Sequence, residues 1–81
     1  MSEYIEMFCE EYDYYFYSDY SGRGMFGKCC VGIVCSNMCK CLIEMCAYLQ
    51  KMGIEIDLNT LAPVCYDNMG KDMIVYFPNI S

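Results

Sequence analysis

"KCCVGIVCSNMCKCLIEMCAYLQKM", residues 28–52, changes its hydrophobic period once, at Ser36–Asn37. The first part, "KCCVGIVCS" (28–36), is a continuous apolar run rich in β-branched side chains, which suits a buried strand. The second part, 37–52, places Met38, Leu42, Met45, Leu49 and Met52 on one stripe at helical spacing. Cys39, Ile43 and Cys46 lie beside that stripe, whereas Lys40, Glu44 and Lys51 lie off it. Ser36 or Asn37 can cap the helix, and Gly53 can end it. A buried strand feeding an amphipathic helix needs further strands to complete its sheet, and the rest of the chain must supply them.

On the N-terminal side, "YDYYFYSDY" (12–20) is rich in Tyr and Phe and reads as a strand. The turn "SGRG" ends it. Before it, "SEYIEMFCEE" (2–11) fits a short helix, with a strand as the competing reading because the aromatic content carries on directly into 12–20. Ser2 can cap it, Glu3 lies in its first turn, and Ile5, Phe8, Cys9 and Tyr12 recur at helical spacing. On the C-terminal side, "IEIDL" (54–58) reads as extended. "LAPVCYDNMGKDMIVYFP" (61–78) reads as a hairpin that turns near Asn68–Lys71, with a last strand Met73–Phe77 ended by Pro78. The fold class is α+β: a single domain, 1–81, in which a small antiparallel sheet of three to four strands packs against one main helix (37–52), with a short N-terminal helix.

"SGRGMFGK", residues 21–28, holds Gly22, Gly27 and Lys28 at the spacing G-x-x-x-x-G-K of a phosphate-binding loop. The rest of that device is missing. Cys29 follows the lysine where a Mg²⁺-binding hydroxyl is needed, and a strand-like run follows where a helix N-terminus is needed. Gly22, Gly24 and Gly27 are therefore read as a hairpin loop using positive φ. Arg23 and Lys28 remain candidates for holding a small anion together with loop amides. The chain has no His, which removes histidine acid/base chemistry and Cys–His nucleophiles. No enzyme activity is expected.

The eight cysteines show no C-x-x-C spacing and have no His to join them. Reduced thiols serving as small hydrophobes are expected, with no metal and no cofactor. No apolar run approaches the ~20 residues of a membrane span, and the acidic N-terminus does not resemble a secretory signal. A cytoplasmic protein without membrane contact is the expectation. Hydrophobic residues make up 57% of the chain. That exceeds the usual ~45–50%, while a domain this small buries only about 60% of its unfolded surface. A surplus of apolar surface points to self-association, most simply as a homodimer.

Net charge is −6, and it lies in the first quarter of the chain. Residues 1–20 contain Glu3, Glu6, Glu10, Glu11, Asp13 and Asp19 with no Lys or Arg, and six of the nine tyrosines, Tyr14 and Tyr17 among them. Carboxylates repel phosphates, so direct nucleic-acid binding is not expected. The complementary partner is a basic protein surface, reached by electrostatic steering and charge-assisted hydrogen bonds. Glu3, Glu6, Glu10, Glu11, Asp13 and Asp19 would stand in for phosphates, while Tyr14 and Tyr17 would add rigid contact area.

The stretch "YSGRGMFGKCCVGIVCS" (20–36) resembles small proteins encoded by bacteriophages and mobile elements. The overall profile, small, acidic and free of catalytic motifs, resembles inhibitors of bacterial defence systems such as anti-CRISPR proteins, several of which imitate DNA with carboxylates. The resemblance implies an inhibitor of a defence nuclease complex acting in the host bacterial cytoplasm. It assigns no residues. The alternatives are a dimeric binder that sequesters a small anionic nucleotide near the 21–28 loop, and a Cys-rich structural module.

Overall fold

β2 (Cys30–Cys35) occupies the interior of a four-stranded antiparallel sheet of order β1-β2-β4-β3. A computed structural model describes residues 1–23, 27, 29–67 and 72–80. β1 (Tyr15–Asp19) pairs with β2 from Tyr15↔Val34 to Asp19↔Cys30. β4 (Met73–Phe77) pairs with the other side of β2, from Val31↔Phe77 to Cys35↔Met73. β3 (Val64–Asp67) closes the opposite edge against β4. The apolar run thus lies between two neighbours, as its composition requires. Gly22 and Gly27 both take positive φ, 71° and 65°, within the β1–β2 connection. The expected hairpin turn at Asn68–Lys71 lies outside the described residues, as do Gly24 and Lys28. Asp67↔Met73 is the last pair before that turn.

Residues opposite one another in a ladder share a face, and neighbours along a strand alternate. One face carries Phe16, Val31, Ile33, Cys35, Val75 and Phe77. This face meets both long helices. α1 (Ser2–Tyr12) contributes Ile5, Phe8 and Cys9 to the core, and α2 (Met38–Lys51) contributes Cys41, Met45 and Leu49. Leu61 and Ile80 complete the same cluster. The other face carries Tyr15, Tyr17, Val34, Ile74, Tyr66 and Tyr76, and none of these belongs to that cluster.

Both long helices stop in the same way. At the end of α2, Gly53 has φ 80°. Its N–H donates to Gln50 O, and the N–H of Ile54 donates to Leu49 O at 2.9 Å. These two bonds satisfy carbonyls of the last turn. At the end of α1, Asp13 takes the left-handed position at φ 59°, and the N–H of Tyr14 donates to Cys9 O at 2.9 Å. α1 therefore runs to Tyr12 and the strand begins only at Tyr15, three residues later than the aromatic content predicts. An aspartate tolerates the left-handed region locally, and this shifts the boundary.

Two local expectations need correction. Met1, not Ser2, occupies the N-cap position of α1, and no side chain caps that end. Asn37 does cap α2, accepting from Lys40 N–H at 3.1 Å. The segment 54–58 is not extended throughout. Asp57 accepts from Asn59 N–H at 2.9 Å and from the Thr60 hydroxyl at 3.2 Å, which starts a one-turn helix α3 (Leu58–Leu61). The short "DLNT" stretch hides a capping residue among what read as alternating apolar positions.

Candidate functional site

The acidic N-terminal residues fall mostly on α1. Burial of Ile5, Phe8 and Cys9 fixes which side of this helix meets the core. At 100° per residue, Glu3, Glu6 and Glu10 then fall within one narrow stripe on the outer side. Glu11 lies beyond Met7 on the same outer half, and Asp13 ends the helix. All five are exposed. Tyr4 and Met7 are also exposed, 36% and 41%, and interleave with the carboxylates. Composition alone assigns the contact area to Tyr14 and Tyr17. The helical wheel of residues 3–11 holds the signal for Met7, which lies four positions from Glu3 and three from Glu10 and so shares their face, whereas Tyr4 falls at the edge of the outer half, next to Glu11.

The remaining candidates go elsewhere. Tyr14 points onto the core side, with its ring centroid 5.5 Å from that of Phe8. Its hydroxyl donates to Glu44 Oε1 at 2.5 Å, joining the start of β1 to α2. That bond, together with burial, holds the Tyr14 phenol well above the ordinary tyrosine range. Tyr14 therefore ties elements together. Tyr17 lies on the other face of the sheet, with its ring edge-on to Tyr76 at 5.4 Å between centroids. Asp19 shares that face, and its Oδ1 accepts from both the N–H (3.0 Å) and the hydroxyl (2.6 Å) of Ser21. The structure brings Glu3, Glu6, Glu10, Glu11 and Asp13 together and separates Tyr14, Tyr17 and Asp19 from them.

At the glycine loop, the N–H of Arg23 donates to Ser21 Oγ at 3.1 Å, and the Arg23 side chain is exposed. Lys28, the second anion candidate, lies outside the described residues. The Cys29 thiol donates to Tyr20 O at 3.3 Å, and β2 starts one residue later. A strand, not a helix N-terminus, therefore follows the G-x-x-x-x-G-K match. Among the described residues no three His, Cys, Asp or Glu side chains converge as a metal site, and no helix is long and apolar enough to cross a membrane.

An open groove of about 680 Å³ lies between the chain start and the α2–α3 connection, lined by Met1, Gln50, Ile54, Glu55, Ile56 and Thr60 among others. Its charged side chains, Glu55 and Asp57, are both acidic, and Asp57 is engaged as the cap of α3.

No family model, curated protein or solved structure matches the chain.

Proposed function

We propose that this protein is a small acidic binding inhibitor whose helix α1 occupies a basic, nucleic-acid-binding surface of another protein. The observation that carries this reading is the uncompensated row of carboxylates on the outside of α1. Glu3, Glu6, Glu10, Glu11 and Asp13 are exposed, and residues 1–20 contain no Lys or Arg to neutralise them. Five charges over residues 3–13 give about one per 3–4 Å of helix axis, close to the ~3.4 Å per charge of a nucleic-acid strand. The core contacts of Ile5, Phe8 and Cys9 hold the row on a rigid element, so little ordering entropy is lost on binding. Met7, between Glu3 and Glu11 around the helix, supplies apolar contact among the carboxylates, and Tyr4 adds an exposed ring beside Glu11. The resemblance of residues 20–36 and of the overall profile to phage anti-defence proteins supports a target among bacterial defence nuclease complexes.

A variant with Glu3, Glu6, Glu10 and Glu11 changed to Gln tests the reading. These side chains are exposed on the surface of α1, so circular dichroism should show an unchanged fold. Binding to the basic target should fall at least about tenfold and lose most of its salt dependence. Binding of the wild type should compete with the target's own DNA or RNA. A folded Gln variant that binds as tightly as the wild type shows that α1 is a solubilising surface only.

A further inference from the structure

We propose that the groove beside the α2–α3 connection docks an extended segment of a partner protein, one that alternates basic and apolar side chains and pairs edge-to-edge with residues 54–57. This proposal stands independently of the role given to α1. Ile54 and Ile56 are half-buried and pack against the core cluster, whereas Glu55 and Asp57 are exposed. That period of two belongs to a strand. Asp57 has strand dihedrals as well, φ −118° and ψ 112°. Yet the four strands of the sheet lie elsewhere in the chain. Among the described residues, the backbones of Glu55 and Ile56 make no hydrogen bond. The first bond of the segment fixes its orientation. The N–H of Ile54 donates to Leu49 O, so the backbone at Ile54 faces α2. Successive residues of an extended chain turn their N–H and C=O to opposite edges. Glu55 therefore presents both groups on the edge away from α2. The N–H of Asp57 shares that edge, while its carbonyl accepts from Leu61 N–H at 3.0 Å within α3.

The groove alongside has the size and lining for such a strand. Its volume of about 680 Å³ falls within the ~300–1,000 Å³ of pre-formed binding sites. Met1 and Leu61 join the two isoleucines in giving it apolar walls. Its charged side chains are Glu55 and Asp57, and among the described residues no Lys or Arg lines it. Asp57 caps α3 through both carboxylate oxygens, whereas the Glu55 carboxylate has no partner among the described residues. A strand added at the free edge exchanges two backbone bonds with Glu55, and residues opposite one another share a face. Its side chains beside Glu55 and Asp57 meet carboxylates at the solvent side, so cations suit those positions. The side chains between them meet Ile54, Ile56 and Leu61, so apolar groups suit those. Charge disfavours the other occupants. A second copy of this segment would set Glu55 and Asp57 against their own counterparts, in a chain of net charge −6. A nucleic acid would bring phosphates to the same carboxylates.

Titration of the full chain, in reducing buffer, with an end-blocked hexapeptide of alternating Lys and Val tests the proposal. Amide chemical shifts are the readout. Saturable shifts are expected at residues 54–57, 60 and 61, with residues 6–13 unmoved. Glu55→Lys alters an exposed side chain, so circular dichroism should not change, and the dissociation constant should rise at least about fivefold. N-methylation of the three lysine amides keeps every side chain of the peptide and removes the donors to Glu55. It should weaken binding at least about fivefold, as should a peptide of the same composition with three Lys followed by three Val. Absence of shifts at millimolar peptide overturns the proposal. Shifts concentrated at residues 6–13 overturn it by assigning the peptide to α1. Equal binding of the N-methylated or the block peptide does so by reducing the contact to charge attraction without strand pairing. Shifts at residues 54–57 that follow protein concentration without peptide would make the edge a contact between copies, and would overturn it too.

Discussion

Cys9 and Cys41 show how single residues couple this fold to solution conditions. Both are buried in the core between the helices and the sheet, at 2% and 0% exposure. Burial, with Glu6 and Cys35 adding repulsion, pushes the Cys9 thiol up to about 12. Burial likewise pushes Cys41 far above the ordinary thiol range. In the unfolded chain both thiols ionise near pH 9; in the folded chain they keep their protons well beyond it. Unfolding at alkaline pH therefore releases protons, and stability falls as pH rises. Each such thiol contributes a slope of about 1.4 kcal/mol per pH unit above its unfolded pKa. The stabilisation is fully present below pH 9 and is lost between roughly pH 9 and 12, a window set by the two ends of the Cys9 shift. Urea midpoints at pH 8 and pH 10.5, in reducing buffer, should show the loss. At pH 8 a thiol reagent should label exposed Cys39 and Cys65 promptly, whereas Cys9, Cys30, Cys35 and Cys41 should react only as fast as the protein opens. Uniform labelling of all eight would contradict this core.

At the scale of elements, the two helix ends contrast. Gly53 ends α2 in the left-handed region at no steric cost, whereas Asp13 ends α1 there with a side chain. Asp13→Gly should stabilise the protein by about 0.5–1 kcal/mol, because relief of the left-handed strain outweighs the added freedom of the unfolded chain. Gly53→Ala should destabilise it by about 1 kcal/mol. Urea denaturation of both variants checks the pair. A destabilised Asp13→Gly would mean that its side chain makes a contact that holds α1 in place. Asp13 also adds a fifth carboxylate beyond the last turn of α1, the row on which the proposed binding depends. Stability and charge therefore pull in opposite directions at this residue.

At the scale of the whole molecule, the charge distribution sets the response to salt. Glu3–Glu6, Glu6–Glu10 and Glu10–Asp13 are three or four residues apart on or at the end of α1, and each like-charge pair costs about 0.2–0.5 kcal/mol. The three together cost on the order of 1 kcal/mol, which for a domain of this size corresponds to roughly 4–8 °C in Tm. Raising salt shortens the screening length to about 10 Å at 0.1 M and to less above that. Tm should therefore rise by a few degrees between 10 mM and 300 mM NaCl. In the variant with Glu3, Glu6, Glu10 and Glu11 changed to Gln, it should start higher and respond less. A Tm independent of salt in the wild type would show that the carboxylates are already compensated.

The sequence alone determined what depends on near neighbours. The 3.6-residue stripe of 38–52, the β-branched run of 28–36, the glycine turn between two strands and the C-terminal hairpin each follow from short-range periodicity and backbone preference. The α+β architecture, an antiparallel sheet of three to four strands against one main helix, follows from their order. Two boundaries escaped because they rest on single side chains, Asp13 accepting the left-handed region and Asp57 capping α3. The candidate site was legible as charge but not as a surface. Glu3, Glu6, Glu10, Glu11 and Asp13 stay together because they belong to one helix whose buried side is fixed by Ile5, Phe8 and Cys9. Tyr14 and Tyr17 part because they lie an odd number of residues apart around a strand and so face opposite sides of the sheet. Only the tertiary structure decided which side the helices cover. It took Tyr14 into contact with Phe8 and Glu44 and left Tyr15 open to solvent. Alternation along a strand says which residues share a face; only the packing of distant elements says which face is buried.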